Sequence, residues 1–299
     1  MISILNSVII RITTLLPKSI VQLFAGKYVA GESHKTALRV VKSLNDHGFS
    51  ATIDILGEHV KETSEATKIT SEYLDLFDEI AEKKLDCNIS IKPSHIGLDL
   101  SESEFLGNLQ LLVEKAKFYN NFLRIDMESS SVTDVTIKAY NKMLKRSKAV
   151  GTVFQAYLFR TLSDIQNIQN DYLNFRLCKG IYKESENISI QDRKLINENY
   201  LTILRHAFTA NNYVGIATHD IDLLKDIYSL IDKLKVSPDR FEFQVLYGVP
   251  MSGWLEKHLK NEYKVRVYVP FGPDWYDYSI RRLKENPNIA RYIIKNLFR

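Results

Sequence analysis

Residues 213–249 read YVGIATHDIDLLKDIYSLIDKLKVSPDRFEFQVLYGV, and the pattern within them decides the fold. A short run of β-branched and aromatic side chains ends on the polar residues Thr218, His219 and Asp220. Leu223, Leu224, Ile227, Ile231 and Leu234 then recur at helical spacing, with charge on the opposite face. A second apolar run, FEFQVLYGV, follows Pro238. Strand, amphipathic helix and strand in this order predict a parallel βαβ unit.

Outward from that unit the same alternation extends from about residue 50 to residue 286. The other strand-like runs are SATIDILGE (50–58), CNISIKPSHIGL (87–98), NFLRIDMES (121–129), VGTVFQAYL (150–158), NFRLCKGIY (174–182) and KVRVYVPFG (264–272). With 213–220 and 241–249 they make eight, separated by segments such as the one carrying Tyr73, Leu74, Phe77, Ile80 and Ala81 on one face. Eight strand–helix units predict an α/β fold of the (β/α)8 TIM-like barrel type; a doubly wound sheet has fewer strands and a Gly-rich first turn, and no G-x-G-x-x-G occurs here. Residues 1–49 are read as a helical segment packing on the barrel domain 50–299, with Ser33 as N-cap and Gly48 as stop of one helix. Residues 287–299 are read as a short terminal helix. Ile2, Leu5, Ile9, Ile12 and Leu16 mark a first amphipathic helix that packs on the domain or, alternatively, touches a membrane surface.

The 299 residues carry 40 basic and 36 acidic side chains, a net charge of +4 that does not advertise a nucleic-acid partner. Two distant cysteines, Cys87 and Cys178, give no disulfide framework, and the seven histidines show no metal-ligand spacing, so no metal is expected. No apolar run reaches the roughly 18–20 residues of a membrane span. A reducing, cytoplasmic setting is expected, with peripheral contact to an inner membrane possible.

In such a barrel the site lies at the C-terminal ends of the strands. The polar residues placed there are Glu58, Lys92, Asp126, Gln155, Arg176 with Lys179, Thr218 with His219, Gln244 and Tyr268, followed by the pair Arg281 and Arg282. Asp126 is expected to face inward and Arg124 the opposite side. Gln155 and Gln244 fit equally well as hydrogen-bonded core groups. Lys92 reads as a cationic anchor or a Schiff-base former. Thr218, His219 and the helix amides behind them read either as a phosphate site or as a plain cap. The two arginines offer fork geometry for a carboxylate, or else belong to a basic C-terminal face.

These blocks together carry a resemblance. GKYVAGES, DILGE, ISIKPS, RIDMES, FQAYL, RLCKGIYKE, IATHD, FEFQVLYGV, RVYVPFG and WYDYSIRRLKENPN occur in the order found in proline dehydrogenases, and the chain resembles that family over most of its length. The resemblance implies a distorted barrel that binds FAD and oxidises L-proline to Δ1-pyrroline-5-carboxylate by hydride transfer to flavin N5. Electrons then pass to a membrane quinone, in the first step of proline degradation to glutamate. A separate pyrroline-5-carboxylate dehydrogenase is a further implied partner. By the same resemblance Lys92, Asp126, Tyr268, Arg281 and Arg282 are catalytic, with Lys92, Arg281 and Arg282 clamping the substrate carboxylate. Tyr182, Leu246, Tyr268 and Tyr278 wall the substrate ring, Glu58 and Arg281 form an ion-pair gate, and Glu285 steadies the arginines. Asp126, Met127, Gln155, Arg176, Cys178, Lys179, Gly180, Thr218, His219, Asp220 and Gln244 match cofactor-binding positions.

Two departures stand out: Ile181 where the family more often has Ala, and Asp220 where many members have Asn. Tyr268 points by resemblance to proline over 4-hydroxyproline. The rival readings are an enzyme for hydroxyproline or another cyclic imino acid, a Schiff-base lyase using Lys92, and a non-catalytic binding protein using the basic C-terminus.

Overall fold

The computed structural model describes residues 18–285 apart from 169 and 171. The proposed helices at the N-terminus (residues 2–16) and over 287–299 lie outside the described residues. Chain order is α1 (Lys18–Ala25), α2 (His34–Asp46), β1 (Ser50–Ile55), α3 (Thr63–Glu82), β2 (Cys87–Ile91), α4 (Glu102–Phe118), β3 (Leu123–Ile125), α5 (Thr133–Leu144), β4 (Val150–Gln155), α6 (Thr161–Asn167), β5 (Asn174–Cys178), α7 (Arg193–Thr209), β6 (Tyr213–Ala217), α8 (Ile221–Leu234), β7 (Phe241–Leu246), α9 (Trp254–Lys260), β8 (Val265–Phe271) and α10 (Trp275–Glu285). Neighbouring strands pair in parallel from β1 to β8, and β8 pairs back on β1 from Ser50↔Arg266 to Ile55↔Phe271, so the sheet closes into the expected barrel. No helix among the described residues is long and apolar enough to cross a membrane.

The strands begin at or within two residues of their expected starts and end earlier. The expected run 87–98 is strand only to Ile91, because Pro93 opens a short 3-10 turn, Pro93–Ile96. Each truncated tail is rim loop, and the rim is where the polar residues sit. Ser33 caps α2 with a reciprocal capping box to Thr36, which satisfies two orphan amides at once.

Period-two alternation sorts the strands into two faces. Ala51, Ile53 and Ile55, Ile89 and Ile91, Leu123 and Ile125, and Val265, Val267 and Val269 are buried in the layer beneath the helices. The other parity faces inward, and it is polar where most such barrels are aliphatic. Arg266 gives Nε to Glu242 at 2.8 Å and Nη1 to the Ala51 carbonyl at 2.6 Å. Gln244 Nε2 donates to Glu242 at 2.7 Å while its Oε1 accepts from Arg176 Nε at 2.6 Å. Arg176 Nη1 reaches Asp126 at 2.7 Å.

Arg124 is buried on the same inward parity, which corrects the expectation that it opposes Asp126: residues i and i+2 of a strand share a face. Its guanidinium donates to the carbonyls of Thr152 and Asn174 at 3.0 Å and to Asn174 Oδ1 at 2.7 Å. Burial, helped by nearby Arg176, pulls it down to about 9. Gly151 of β4 makes room for it: a Cβ there would lie 2.4 Å from Arg124 Nη1 and 2.4 Å from the Asn174 carbonyl. Gly151→Ala should therefore lower stability by about 2 kcal/mol through overpacking; a urea midpoint equal to wild type would show that the guanidinium gives way freely.

Candidate active site

A cavity of about 430 Å³ opens at the C-terminal mouth of the barrel, within the size range of small-molecule and cofactor sites. Its floor begins at Asp54, a buried carboxylate on β1 that the sequence reading missed. Asp54 accepts from Lys92 Nζ at 2.6 Å, from the Tyr268 hydroxyl at 2.6 Å and from the Tyr73 hydroxyl at 3.1 Å. Burial pushes the Asp54 carboxyl up against the pull of Lys92. Burial would lower the Lys92 ammonium, but Asp54 and Asp126 outweigh it and hold the group above its ordinary value. Lys92 is thus a fixed cation and not a poised amine.

Asp126 lies at the end of β3 and binds three neighbours. Its Oδ1 accepts from Ser90 Oγ at 2.6 Å and from Arg176, and its Oδ2 lies 3.4 Å from the Tyr268 hydroxyl. The Arg176 guanidinium also sits 5.2 Å from the centre of the Tyr268 ring, a cation–π contact that adds to the pin on that tyrosine. Tyr268 is held by two carboxylates and one guanidinium, so its ring has one orientation.

His219, after β6, is pulled down to about 4 by burial and by Arg282. Its Nε2 accepts from the Leu246 amide at 3.0 Å; an amide can only donate, so the proton of the neutral ring sits on Nδ1. Asp220 is the N-cap of α8, taking the amides of Asp222 and Leu223 at 3.0 and 3.2 Å, while its other oxygen pairs with Lys179 and with Asn197 at 3.2 Å. An anion already occupies those amides, which overturns the reading of them as a phosphate site. Gln155 donates to the Glu128 carbonyl at 3.0 Å.

The far wall comes from α10, which packs on α1. Arg281 Nη2 lies 3.8 Å from Glu58 Oε1 on the β1 loop. Arg282 is buried with its guanidinium 5.1 Å from the Tyr278 ring centre.

Of the residues expected at the site, Glu58, Lys92, Asp126, Met127, Gln155, Arg176, Cys178, Lys179, Gly180, Tyr182, His219, Gln244, Leu246, Tyr268, Tyr278, Arg281 and Arg282 line this one cavity, together with Ile181. Thr218 and Asp220 stand behind the wall; the Thr218 hydroxyl accepts the Asp220 amide at 3.1 Å. Glu285 ends α10, and its side chain lies outside the described residues. Asp54, Glu128, Asp274 and Asp277 are carboxylates of the lining that were not among the expected residues. An acidic residue at an inward position inside an otherwise β-favouring run was the signal for Asp54.

Five cations, among them the carboxylate-held Lys92, and three tyrosines, of which Tyr268 is pinned, line a cavity that suits a small organic substrate bearing a carboxylate. The proline dehydrogenase family pattern matches residues 37–293. Proline dehydrogenase 1 of Bacillus subtilis subsp. natto is 37% identical over 279 residues, covering 93% of this chain and 92% of that protein. Proline dehydrogenase of Deinococcus radiodurans is 33% identical over 281 residues, covering 92% and 90%. Among solved structures, proline utilization A from Bdellovibrio bacteriovorus superposes with a TM-score of 0.80 at 23% identity, covering 88% of this chain and 32% of that one, a likeness of fold. Fold, cavity and sequence therefore agree that the chain belongs to the proline dehydrogenase family and is an oxidoreductase acting on proline.

Proposed function

We propose that the chain oxidises L-proline to Δ1-pyrroline-5-carboxylate with FAD as resident cofactor and delivers the electrons to a membrane quinone. The observation that carries this reading is the convergence of Lys92, Arg281 and Arg282 on one cavity whose wall includes Tyr182, Leu246, Tyr268 and Tyr278. Three cations suit one carboxylate, and the apolar wall suits a saturated ring.

The donor set also fits a flavin. Among the described residues, Arg176 commits Nε and Nη1 to Gln244 and Asp126 and leaves Nη2 as a donor, and His219 leaves its Nδ1–H. Both suit the carbonyl and ring-nitrogen edge of an isoalloxazine. Arg176, Gln155, Gln244, Met127, Cys178 and His219 would hold the ring system, and Lys179, Gly180 and Thr218 the remainder. When bound, the flavin supplies the two-electron acceptor chemistry that side chains lack.

The chain's own residues supply orientation. Arg282 and Lys92 anchor the carboxylate, Arg281 closes over it with Glu58, and the Asp54-pinned Tyr268 fixes the ring face. The pinned Tyr268 supports proline over 4-hydroxyproline. A Schiff-base lyase would need an uncharged Lys92, which the Asp54 contact opposes.

Three outcomes test this reading. The protein loaded with FAD should show a flavin absorbance band that bleaches on anaerobic addition of L-proline; a band unmoved by proline would refute the substrate, and a chain that takes up no FAD would refute the cofactor. Arg282→Ala should raise KM for proline about 100-fold, through loss of a charge-assisted contact of about 2–3 kcal/mol, with FAD affinity nearly unchanged; equal loss of both would mean that Arg282 serves the cofactor. The reacting amine must be neutral, so kcat/KM should rise with pH. His219, already neutral above about pH 5, and Lys92, held charged, do not titrate across that rise. A ring-substituted proline with a less basic amine should shift the limb down by its own pKa difference; an unmoved limb would assign it to the protein.

A further inference from the structure

Two carboxylates on the rim make the same contact. Glu128 accepts both the Ser94 amide, at 2.8 Å, and the Ser94 hydroxyl, at 2.5 Å. Glu184 accepts the Ser130 amide at 2.7 Å and the Ser130 hydroxyl at 2.6 Å. Each joins two different loops: Glu128 ties the segment after β3 to that after β2, and Glu184 ties the segment after β5 to that after β3. Ser130 opens a 3-10 turn, Ser130–Val132, and the first amides of such a turn have no acceptor within it. The Glu184 carboxylate is that acceptor, delivered from 54 residues away.

Glu184 itself does not line the cavity, but its near neighbours Ile181 and Tyr182 do. Their segment is also gripped at its other end. Gly180 has φ +117° and a Cβ there would lie 2.1 Å from Tyr157 Cδ1, so the Tyr157 ring packs directly on the backbone. The Tyr157 amide donates to the Lys179 carbonyl at 2.8 Å. Between the Tyr157 clamp and the Glu184 clamp only residues 181–183 are left, and two of those three face the cavity.

We propose that Glu184 is a positioning residue for substrate: by clasping Ser130 it fixes the Ile181–Tyr182 wall against the cavity. The inference rests on Tyr182 walling the proline ring. A wall touches the ring alike before and during reaction, so loosening it raises KM more than it lowers kcat.

The test is steady-state proline oxidation by the flavin-loaded enzyme, with melting temperature measured alongside, for Glu184→Ala, Glu184→Gln, Ser130→Ala and Tyr182→Ala. Glu184→Ala is expected to raise KM about tenfold with kcat within about twofold. Glu184→Gln should recover most of the loss, since its amide oxygen still accepts, and Ser130→Ala should fall between. An unchanged KM in Glu184→Ala beside a raised KM in Tyr182→Ala overturns the proposal and leaves the substrate wall intact. An unchanged KM in Tyr182→Ala overturns the wall reading itself. If Glu184→Ala does not fold, Ser130→Ala decides: a raised KM supports the clasp, and a wild-type KM overturns it.

Discussion

The Arg176–Asp126 pair is the contact on which the interior of the barrel depends. It joins two halves of one buried hydrogen-bond ladder. On one side Arg176 reaches Gln244, Glu242 and Arg266 toward the bottom of the barrel; on the other Asp126 and Tyr268 lead to Asp54 and Lys92 at the mouth. Buried charges are costly unless paired and hydrogen-bonded, and removal of one partner of such a pair costs about 3–5 kcal/mol. Every rung has an opposite charge or an amide next to it. The barrel is thus closed by backbone pairing on the outside and filled by polar pairing on the inside, so the positions that give it a floor also orient the site.

That construction separates two kinds of rigidity. The strands and the ladder hold Lys92, Asp126, Arg176 and Tyr268 through contacts buried below the mouth. The rim is held differently, by carboxylates that reach across from one loop to the next, as Glu128 and Glu184 do, and by the Glu58–Arg281 contact at 3.8 Å between the β1 loop and α10. Both partners of that last pair are more than a third exposed. Exposed pairs contribute about 0–1 kcal/mol, so α10 is held less by this pair than by its packing on α1 and by Trp275 and Tyr278 against Tyr28, Val29 and Leu56.

Much of this was legible in the sequence, for a physical reason. Period-two runs alternating with helical repeats mark strands and helices independently of tertiary context, and polar residues late in a strand have few places to go except the mouth. Lys92, Gln155, Arg176 and Tyr268 were visible in that way. Asp54 was not, because a strand reading ranks its end above its middle, and the acid lies one residue short of the strand's last position. Glu128 and Glu184 were hidden in another sense: each acts on a serine at least 34 residues away, and no local pattern reports such a partner. The phosphate reading of the α8 N-terminus failed because Asp220 is both its cap and the partner of Lys179; a cap residue that is itself an anion answers the amides before any ligand can.

The charge arrangement at the mouth also divides the work among the three cations of the proposed clamp. Lys92 already faces Asp54 at 2.6 Å, so its field beyond that carboxylate is partly cancelled, and much the same holds for Arg281 beside Glu58. Arg282 stands over the Tyr278 ring, whose quadrupole steadies a guanidinium without neutralising it. In the proposed binding mode Arg282, set on the Tyr278 ring, is the anchor on the wall, while Lys92, fixed by Asp54, is the anchor on the floor. Two anchors on different walls would set the direction of a proline ring between them, with the pinned Tyr268 limiting its tilt.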